Sequence, residues 1–528
     1  MNSEHTSPET PPALMSLLQA DPPLTGSVSA AEERFDRWRR RLGWYLAPTV
    51  LAVLWLQPIP GLPEPAGRLL AIVGMTLTLW ITEAIPLAAT ALLAPALCVA
   101  AGLGSTRDVF RPFSDPVVFL FIGSFLMGEA MLKHRLNRRF AFGLLTLPWV
   151  TASPGRLYLA FAGITAVISM WVSNAAATAM MLPIALSILA ELGLRQGARD
   201  FRATPYAAGL ILITAFAASV GGLATPIGTP PNLIGIGAVE RLLGFKITFF
   251  AWMQLGLPIA FVLTLFLVWR FSRRCPFPAL PLADNRHLLQ GELAKLGPWT
   301  RGQKNVIGVF IGAVALWMLP GVIAVCAEKG SASPAFLWLN ARVPESIVGL
   351  LAASVLFILP ADKKRDSFTL EWRDAAGIDW GTILLFAGGM SLGELMFSTG
   401  LAHWIGAGLA GVFQSHSVIW LTLLFTAIGI FVSETTTNTA SATMVVPIAI
   451  AVAQAAGVDP LKPALAACLG CSMGFLLPVS TGPNAMAYGT RCVPLKAMMR
   501  HGIWLDLAGW VVIVATVLLL GPSLPTKL

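Results

Sequence analysis

Charge is what this chain has least of. Asp, Glu, Lys and Arg make up 12% of its 528 residues, against roughly 25% in soluble domains. A water-soluble fold of this length needs a charged skin that these residues cannot supply, which excludes soluble enzymes, nucleic-acid modules and disordered scaffolds. The six cysteines are scattered through apolar stretches. The one CxxC, at Cys468 and Cys471, falls in a helical run, where it reads as two small apolar side chains and not as a redox or metal pair. HExxH and Walker-loop patterns are absent, so neither motif offers a membrane enzyme its metal or nucleotide. Residues 1–33 lack the apolar core of a signal peptide and read as a disordered tail that is not cleaved.

Apolar sequence is what the chain has instead. Hydrophobic residues make up 56%, and mean hydropathy is +0.72. Ala84–Thr106, Ile247–Trp269 and Asn305–Ala327 are each 23 residues without a charge. At 1.5 Å per residue, about 20 apolar residues cross a hydrocarbon core of roughly 30 Å. Backbone groups must be paired within such a segment, and the runs do not alternate, so helices and not barrel strands are predicted.

The net charge of +9 fits basic loops held in the cytoplasm better than a nucleic-acid partner. Arginines 34, 37, 39, 40 and 41 precede the first apolar run and hold the N-terminus inside. Further clusters are Lys133/Arg135/Arg138/Arg139, Arg195/Arg199/Arg202, Arg270/Arg273/Arg274, Lys363/Lys364/Arg365 and Arg491/Lys496/Arg500. Eleven spans place all of these inside: 44–58, 66–82, 84–103, 115–132, 206–240, 247–269, 303–321, 344–360, 380–398, 464–490 and 502–521. The chain then ends outside.

Two uncharged stretches are too long for one crossing: Leu157–Ala190, and residues 395–458 broken only by Glu434. Each holds a polar patch of small residues, SNAAAT at 173–178 and TTTNTASAT at 435–443. Only a hairpin that enters and leaves on one side keeps every basic loop inside. Non-helical backbone at membrane depth needs protein or a water-filled cavity around it, so these are read as re-entrant hairpins with functional tips. The divisions are a cytoplasmic tail 1–42, a first span 43–62, a repeat 63–274 with its hairpin at about 157–192, a cytoplasmic linker 275–302, and a repeat 303–523 with its hairpin at about 402–457.

The two halves echo each other. LFIGSFLMGEAM at 120–131 aligns with LFAGGMSLGELM at 385–396. Ser169, Ser173, Asn174 and Pro183 align with Ser433, Thr437, Asn438 and Pro447, and GTPPN at 228–232 aligns with STGPN at 480–484. The spans at 115–132 and 380–398 run in opposite directions, so the repeats are inverted. Inverted repeats with interrupted apolar segments mark secondary transporters whose site lies where the repeats meet. Close packing of small residues explains glycine and alanine, but not Asn and Pro recurring at one spacing.

Ser169 and Ser173 share a helix face, and Asn174 follows where the helix breaks. Hydroxyl, amide and freed carbonyl oxygens suit a hard cation, and a cage without a fixed carboxylate suits a monovalent ion that must leave again. Ser433, the Thr436 carbonyl, Thr437 and Asn438 offer a second cage. GTPPN and STGPN interrupt helices, leaving half-helix ends that attract anions at N-termini and cations at carbonyls. None of these motifs contains Lys or Arg, so an anion there needs co-bound cations. Glu83 and Glu434 read as caps of broken helices, with a proton relay as the other reading. Glu129 and Glu394 read as structural, and His134 and His403 as interfacial.

With WITEAIPLAATALLAP (80–95), both tips, GTPPN and CSMGFLLPVSTGPNAMAYG (471–489), the chain resembles the divalent anion/sodium symporter family, the INDY-like dicarboxylate and citrate transporters, from about residue 40 onward. The resemblance implies an all-α polytopic membrane protein of the plasma (inner) membrane. Eleven transmembrane helices and two re-entrant hairpins are divided between a scaffold, which forms a homodimer, and an elevator-type transport domain. It implies sodium at Ser169, Ser173, Asn174 and Gly228, and again at Ser433, Thr436, Asn438 and Ser480. Substrate carboxylates are expected at Asn174, Ala175, Thr229, Asn438, Thr439, Thr481 and Gly482. Two positions depart from the family pattern: Ala175 replaces a hydroxyl residue, and Gly482 stands where proline is common. The expected activity is sodium-driven import of a di- or tricarboxylate. A sodium-independent exchanger, a proton-coupled carrier of the same fold, and sulfate as substrate are the alternatives. A channel would not need two inverted cation cages.

Overall fold

The computed structural model describes residues 30–57, 59–150, 153–195, 204–276, 285–327, 333–362, 367–413, 417–521 and 526–527. The tail to residue 29, and Arg199, Arg202, Lys363, Lys364 and Arg365 of the basic clusters, lie outside the described residues. The first helix, α1 (Ala30–Leu56), carries the first arginine cluster within it. Next come α2 (Glu64–Thr82), α3 (Leu87–Ala100), the short α4 (Thr106–Phe110), α5 (Pro116–Lys133) and α6 (Leu136–Leu145). Glu83 ends α2 in a left-handed conformation (φ 49°) and pairs with Arg39 of α1 at 3.1 Å, which fits its reading as a cap.

The first hairpin is α7 (Pro154–Ser169) and α8 (Asn174–Arg195), and the second is α19 (Val418–Thr435) and α20 (Asn438–Ala455). The second is shorter than expected, because Leu401–Phe413 forms a separate helix, α18. The expected spans 206–240 and 464–490 are both broken. α9 (Pro205–Gly222) and α10 (Pro230–Leu243) replace the first, and α21 (Leu461–Gly470) and α22 (Gly482–Gly489) the second. Pro226 and Pro478 lie in the breaks, and each removes an amide donor that a continuous helix requires. Pro230 and Pro483 then sit in the first turn of the next half-helix, where a missing donor costs nothing.

The remaining elements are α11 (Phe249–Arg274), α12 (Asn285–Lys295), α13 (Arg301–Cys326), α14 (Pro334–Arg342), α15 (Glu345–Ile358), α16 (Trp372–Ala376), α17 (Trp380–Ser398) and α23 (Leu495–Leu520). Among the described residues the strands are two short antiparallel pairings, 245–246 with 526–527 and 360–362 with 367–368. Among the described residues nine helices are long and apolar enough to cross a membrane, or ten if α14 and α15, bent by 52°, form one span. This differs from eleven because length and composition do not separate a hairpin arm from a crossing. Both arms of the second hairpin are among the nine, whereas α3 and α21 fall short.

The inversion is visible in α5 and α17. The Ser391 hydroxyl of α17 donates to Val109 O at 2.6 Å, and Glu394 near its end joins Arg241, which also holds Asp115, the N-cap of α5. The end of α17 therefore meets the start of α5, and the two run antiparallel. α9 lies at the centre, with 94% of its span buried, and α13 faces outward with 22%. An element apolar on every side belongs in such a centre.

Candidate functional site

Both hairpin tips and both helix breaks open onto one cavity of about 500 Å³. Asn174, Ala175, Thr229, Asn438, Thr439, Thr481 and Gly482 all line it, as do Ser173, Gly228 and Ser480. Ser169, Ser433 and Thr436 lie buried behind the wall. The thirteen positions singled out from sequence thus gather around one space although they are spread over more than 300 residues.

The first tip is organised around Asn174. The Ser169 hydroxyl donates to its Oδ1 at 2.8 Å, and the Ser173 hydroxyl accepts the Ala176 N–H at 3.3 Å, starting α8. The break between α9 and α10 presses against this tip. A Cβ on Gly222 would lie 2.5 Å from Asn174 Oδ1 and 3.1 Å from Gly228 O, so only glycine lets these oxygens approach. The second tip repeats the arrangement. The Ser433 hydroxyl meets Asn438 Oδ1 and Cys471 O, each at 2.7 Å, and Ser433 Oγ and O lie 3.1 and 3.2 Å from where a Gly474 Cβ would stand.

Each break is fastened by an asparagine. Asn232 Nδ2 donates to Gly222 O at 2.9 Å and Thr225 O at 2.7 Å. Asn484 Nδ2 donates to Gly474 O and Leu477 O, both at 3.0 Å. The two sets share the same intervals of ten and seven residues. Both asparagines are fully buried. Their matching position was visible in sequence, but their role was not. Alignment of Gly222 with Gly474 and of Pro226 with Pro478 was the signal available.

The break of each half serves its own tip, while the half-helix beyond it points at the other. α22 packs on α8, and α10 on α20. A Cβ on Gly482 would touch Ala175 Cβ at 3.4 Å, so the two departures from the family pattern face each other. Four helix N-termini, at Asn174, Thr229, Asn438 and Thr481, thereby border the cavity. The hydroxyls of Thr437 and Thr481 cap their helices by accepting N–H groups at 3.3 Å, whereas Thr229 makes no cap bond. Helix N-termini carry partial positive charge, so the cavity favours an anion with no Lys or Arg in its lining.

Sequence reasoning did not foresee the outer wall. Ser124, Gly128, Glu129 and Leu132 of α5, Trp171 of the first tip, and Gly377, Ile378, Asp379 and Thr382 ahead of and in α17 complete the cavity. Glu129 is thus a wall residue. Asp379 is committed to starting α17, accepting the Thr382 N–H at 3.0 Å and hydroxyl at 2.6 Å. The wall is braced by Lys133, which pairs with Asp374 of α16 at 2.6 Å. Burial works against ionisation of Asp374, but the Lys133 ammonium and the Glu371 N–H hold its carboxyl below the usual aspartate range. His134 also braces this end, through Thr369 O at 2.8 Å.

Glu434 ties the second tip to its break. Its carboxylate accepts the N–H groups of Phe475 and Leu476 at 2.6 and 2.9 Å and the Ser480 hydroxyl at 2.7 Å. Cys468 donates to Pro231 O at 3.0 Å and Cys471 is free and buried. Among the described residues no His, Cys, Asp and Glu cluster forms a metal centre.

A multi-pass membrane protein whose inverted hairpins converge on one cavity is a secondary transporter. The chain belongs to the family described as the sodium:sulfate symporter transmembrane region, whose model matches residues 40–525. It is similar to the sodium-dependent dicarboxylate transporter SdcS of Staphylococcus saprophyticus, 33% identical over 489 residues and 91% of each chain. SdcS of Staphylococcus aureus strain USA300 is 32% identical over 483 residues, 90% of each. Among solved structures, the antimetabolite efflux pump MtrF of Neisseria gonorrhoeae aligns with a TM-score of 0.52 at 17% identity, covering 88% of this chain and 97% of its own. That likeness is one of fold alone.

Proposed function

We propose that the protein imports a di- or tricarboxylate such as succinate, malate, fumarate or citrate by sodium symport. The observation that carries this reading is a cavity bordered by four helix N-termini and by no basic side chain, set between two cages of hydroxyl, amide and carbonyl oxygens. A dianion held by dipoles alone is bound weakly, and cations in the flanking cages supply the missing charge. Sodium at Ser169, Ser173, Asn174 and Gly228, and at Ser433, Thr436, Asn438 and Ser480, would arrange the same asparagines that meet the carboxylates. Loss of the ions then releases the anion. The similarity to SdcS, named a sodium-dependent dicarboxylate transporter, supports the substrate class.

In this reading the hairpins and broken helices move as one elevator-type body against a scaffold built from α1–α5 and α13–α18, and the scaffold pairs two copies. The cytoplasmic membrane is the site of action, with the N-terminus inside and the C-terminus outside. Uptake of succinate, citrate and sulfate into proteoliposomes, each with and without a sodium gradient, tests it. Sodium-driven accumulation of a carboxylate is expected. Uptake indifferent to sodium would leave an exchanger or proton-coupled carrier, and accumulation of sulfate alone would replace the substrate.

A further inference from the structure

Midway along α23 lies Asp506, the one charge between His501 and Lys527, and it is 6% exposed. Gly502, Asp506 and Gly509 share a face of the helix. A Cβ on Gly502 would fall 2.2 Å from Phe475 O, and one on Gly509 2.0 Å from Met473 Cε. The break segment 473–476 therefore lies flat on this face with Asp506 beneath it. Across the segment, the Asp506 carboxyl lies against that of Glu434, itself 5% exposed.

The two acids are not equivalent. All three donors at this place, the N–H groups of Phe475 and Leu476 and the Ser480 hydroxyl, go to Glu434. Both oxygens of Asp506 are buried without a donor. Among the described residues, the basic groups on the helices packed against α23 stand toward its ends and none pairs with Asp506. Arg270, Arg273 and Arg274 close α11, and Lys496, Arg500 and His501 open α23, with Arg270 bonded to Arg500 O at 3.0 Å. Lys462 of α21 packs at the far end, beside Gly521. A bare buried carboxylate is too costly to stand alone. A proton shared between the two carboxyls, which lie within hydrogen-bond reach of each other, is the competing way to neutralise the pair, and the flux measurement below separates the two. A single cation held across both, with Glu434 opposite, satisfies the pair and neutralises the one charge that no donor meets.

We infer that Asp506 and Glu434 hold a further sodium ion behind the second cage, a site that rests on the sodium-coupled reading above. Because Glu434 also holds Ser480 and both amides of the break, this ion joins α23, the second tip and the break segment. Its occupancy sets how firmly Ser480 is presented to the cage in front.

The test is the flux ratio of sodium-22 to succinate in proteoliposomes for the wild-type chain, Asp506→Asn and Asp506→Glu. The Asn variant keeps the shape and loses the charge. Expected is a ratio lower by one ion for D506N, with a less cooperative sodium activation curve, and an unchanged ratio for D506E. An unchanged ratio in D506N overturns the site, as does a change confined to proton flux. Where D506N is inserted but does not transport, thermal unfolding of the purified protein in sodium against choline gives the second reading. A smaller sodium-induced rise than wild type supports the site, and an equal rise overturns it. A wild-type chain without sodium coupling overturns the functional reading itself, which separates that failure from this one.

Discussion

Four asparagines divide the work of the site between them. Asn174 and Asn438 present side chains to the cavity, each accepting a serine hydroxyl through Oδ1. Asn232 and Asn484 are fully buried and hold carbonyl oxygens of the breaks. Alanine at either place should therefore fail differently. Asn174→Ala or Asn438→Ala takes away an amide that both ion and anion are proposed to use. Uptake should be abolished in each, while membrane insertion and monodispersity in detergent stay as in wild type. Transport retained in both variants removes the site assignment. Asn484→Ala instead strands two buried carbonyl groups, at a cost of roughly 1–3 kcal/mol each. A lowered thermal midpoint with a raised sodium requirement is the expected pair of results. A normal sodium requirement in a stable N484A protein would show that the break needs no fastening.

At the scale of elements, each helix boundary around the cavity is a place where local chemistry forbids continuation. Pro226 and Pro478 break what hydropathy reads as single spans, and Gly222 admits the Asn174 side chain against the backbone. The hairpins, the pairing of halves and the gathering of thirteen positions around one cavity were legible because Asn, Pro and Gly recur at fixed intervals in otherwise apolar sequence. Other features left no comparable trace. Leu401–Phe413 is apolar like the arm that follows, so nothing in its composition marks it as a separate helix. The wall contributed by Gly377, Ile378, Asp379 and Thr382 depends on how α16 meets Lys133, a contact across 241 residues. That contact has a pH signature. The folded-state pKa of Asp374 lies below the unfolded value, so its contribution is complete above about pH 4 and is lost as pH falls through the folded value. Unfolding midpoints measured against pH should drop on this limb for wild type and flatten for Asp374→Asn, by less than about 1 kcal/mol for a partly exposed pair. An identical acid limb in both proteins would show that Lys133–Asp374 carries no stability.

Across the whole molecule, ion pairs stand at both ends of α5, Lys133–Asp374 at one and Arg241–Asp115 at the other. Glu129, Leu132, Gly377, Ile378, Asp379 and Thr382 line the cavity at one end. At the other end Arg241 of α10 holds Asp115 at the start of α5 and Glu394 near the end of α17. There too the Phe249 N–H donates to the Glu345 carboxylate at 2.6 Å, and Lys246 bonds Asn340. Each bridge joins an element next to the hairpins to one of the surrounding helices. If the hairpin body moves to expose the cavity on the opposite side, Arg241 must release both acids. Arg241→Gln should then shift the population toward the opposite opening, about tenfold for each ~1.4 kcal/mol lost. Val479 lines the cavity and is 58% exposed, and Cys326 is the exposed native thiol among the cysteines. A Val479→Cys reporter on a Cys326→Ser background can be labelled with an impermeant maleimide from either face of the membrane. Labelling in the Arg241→Gln protein should slow from one face of the membrane and quicken from the other. Equal rates with and without Arg241 would mean that these ion pairs bind the helices together without choosing between the two openings.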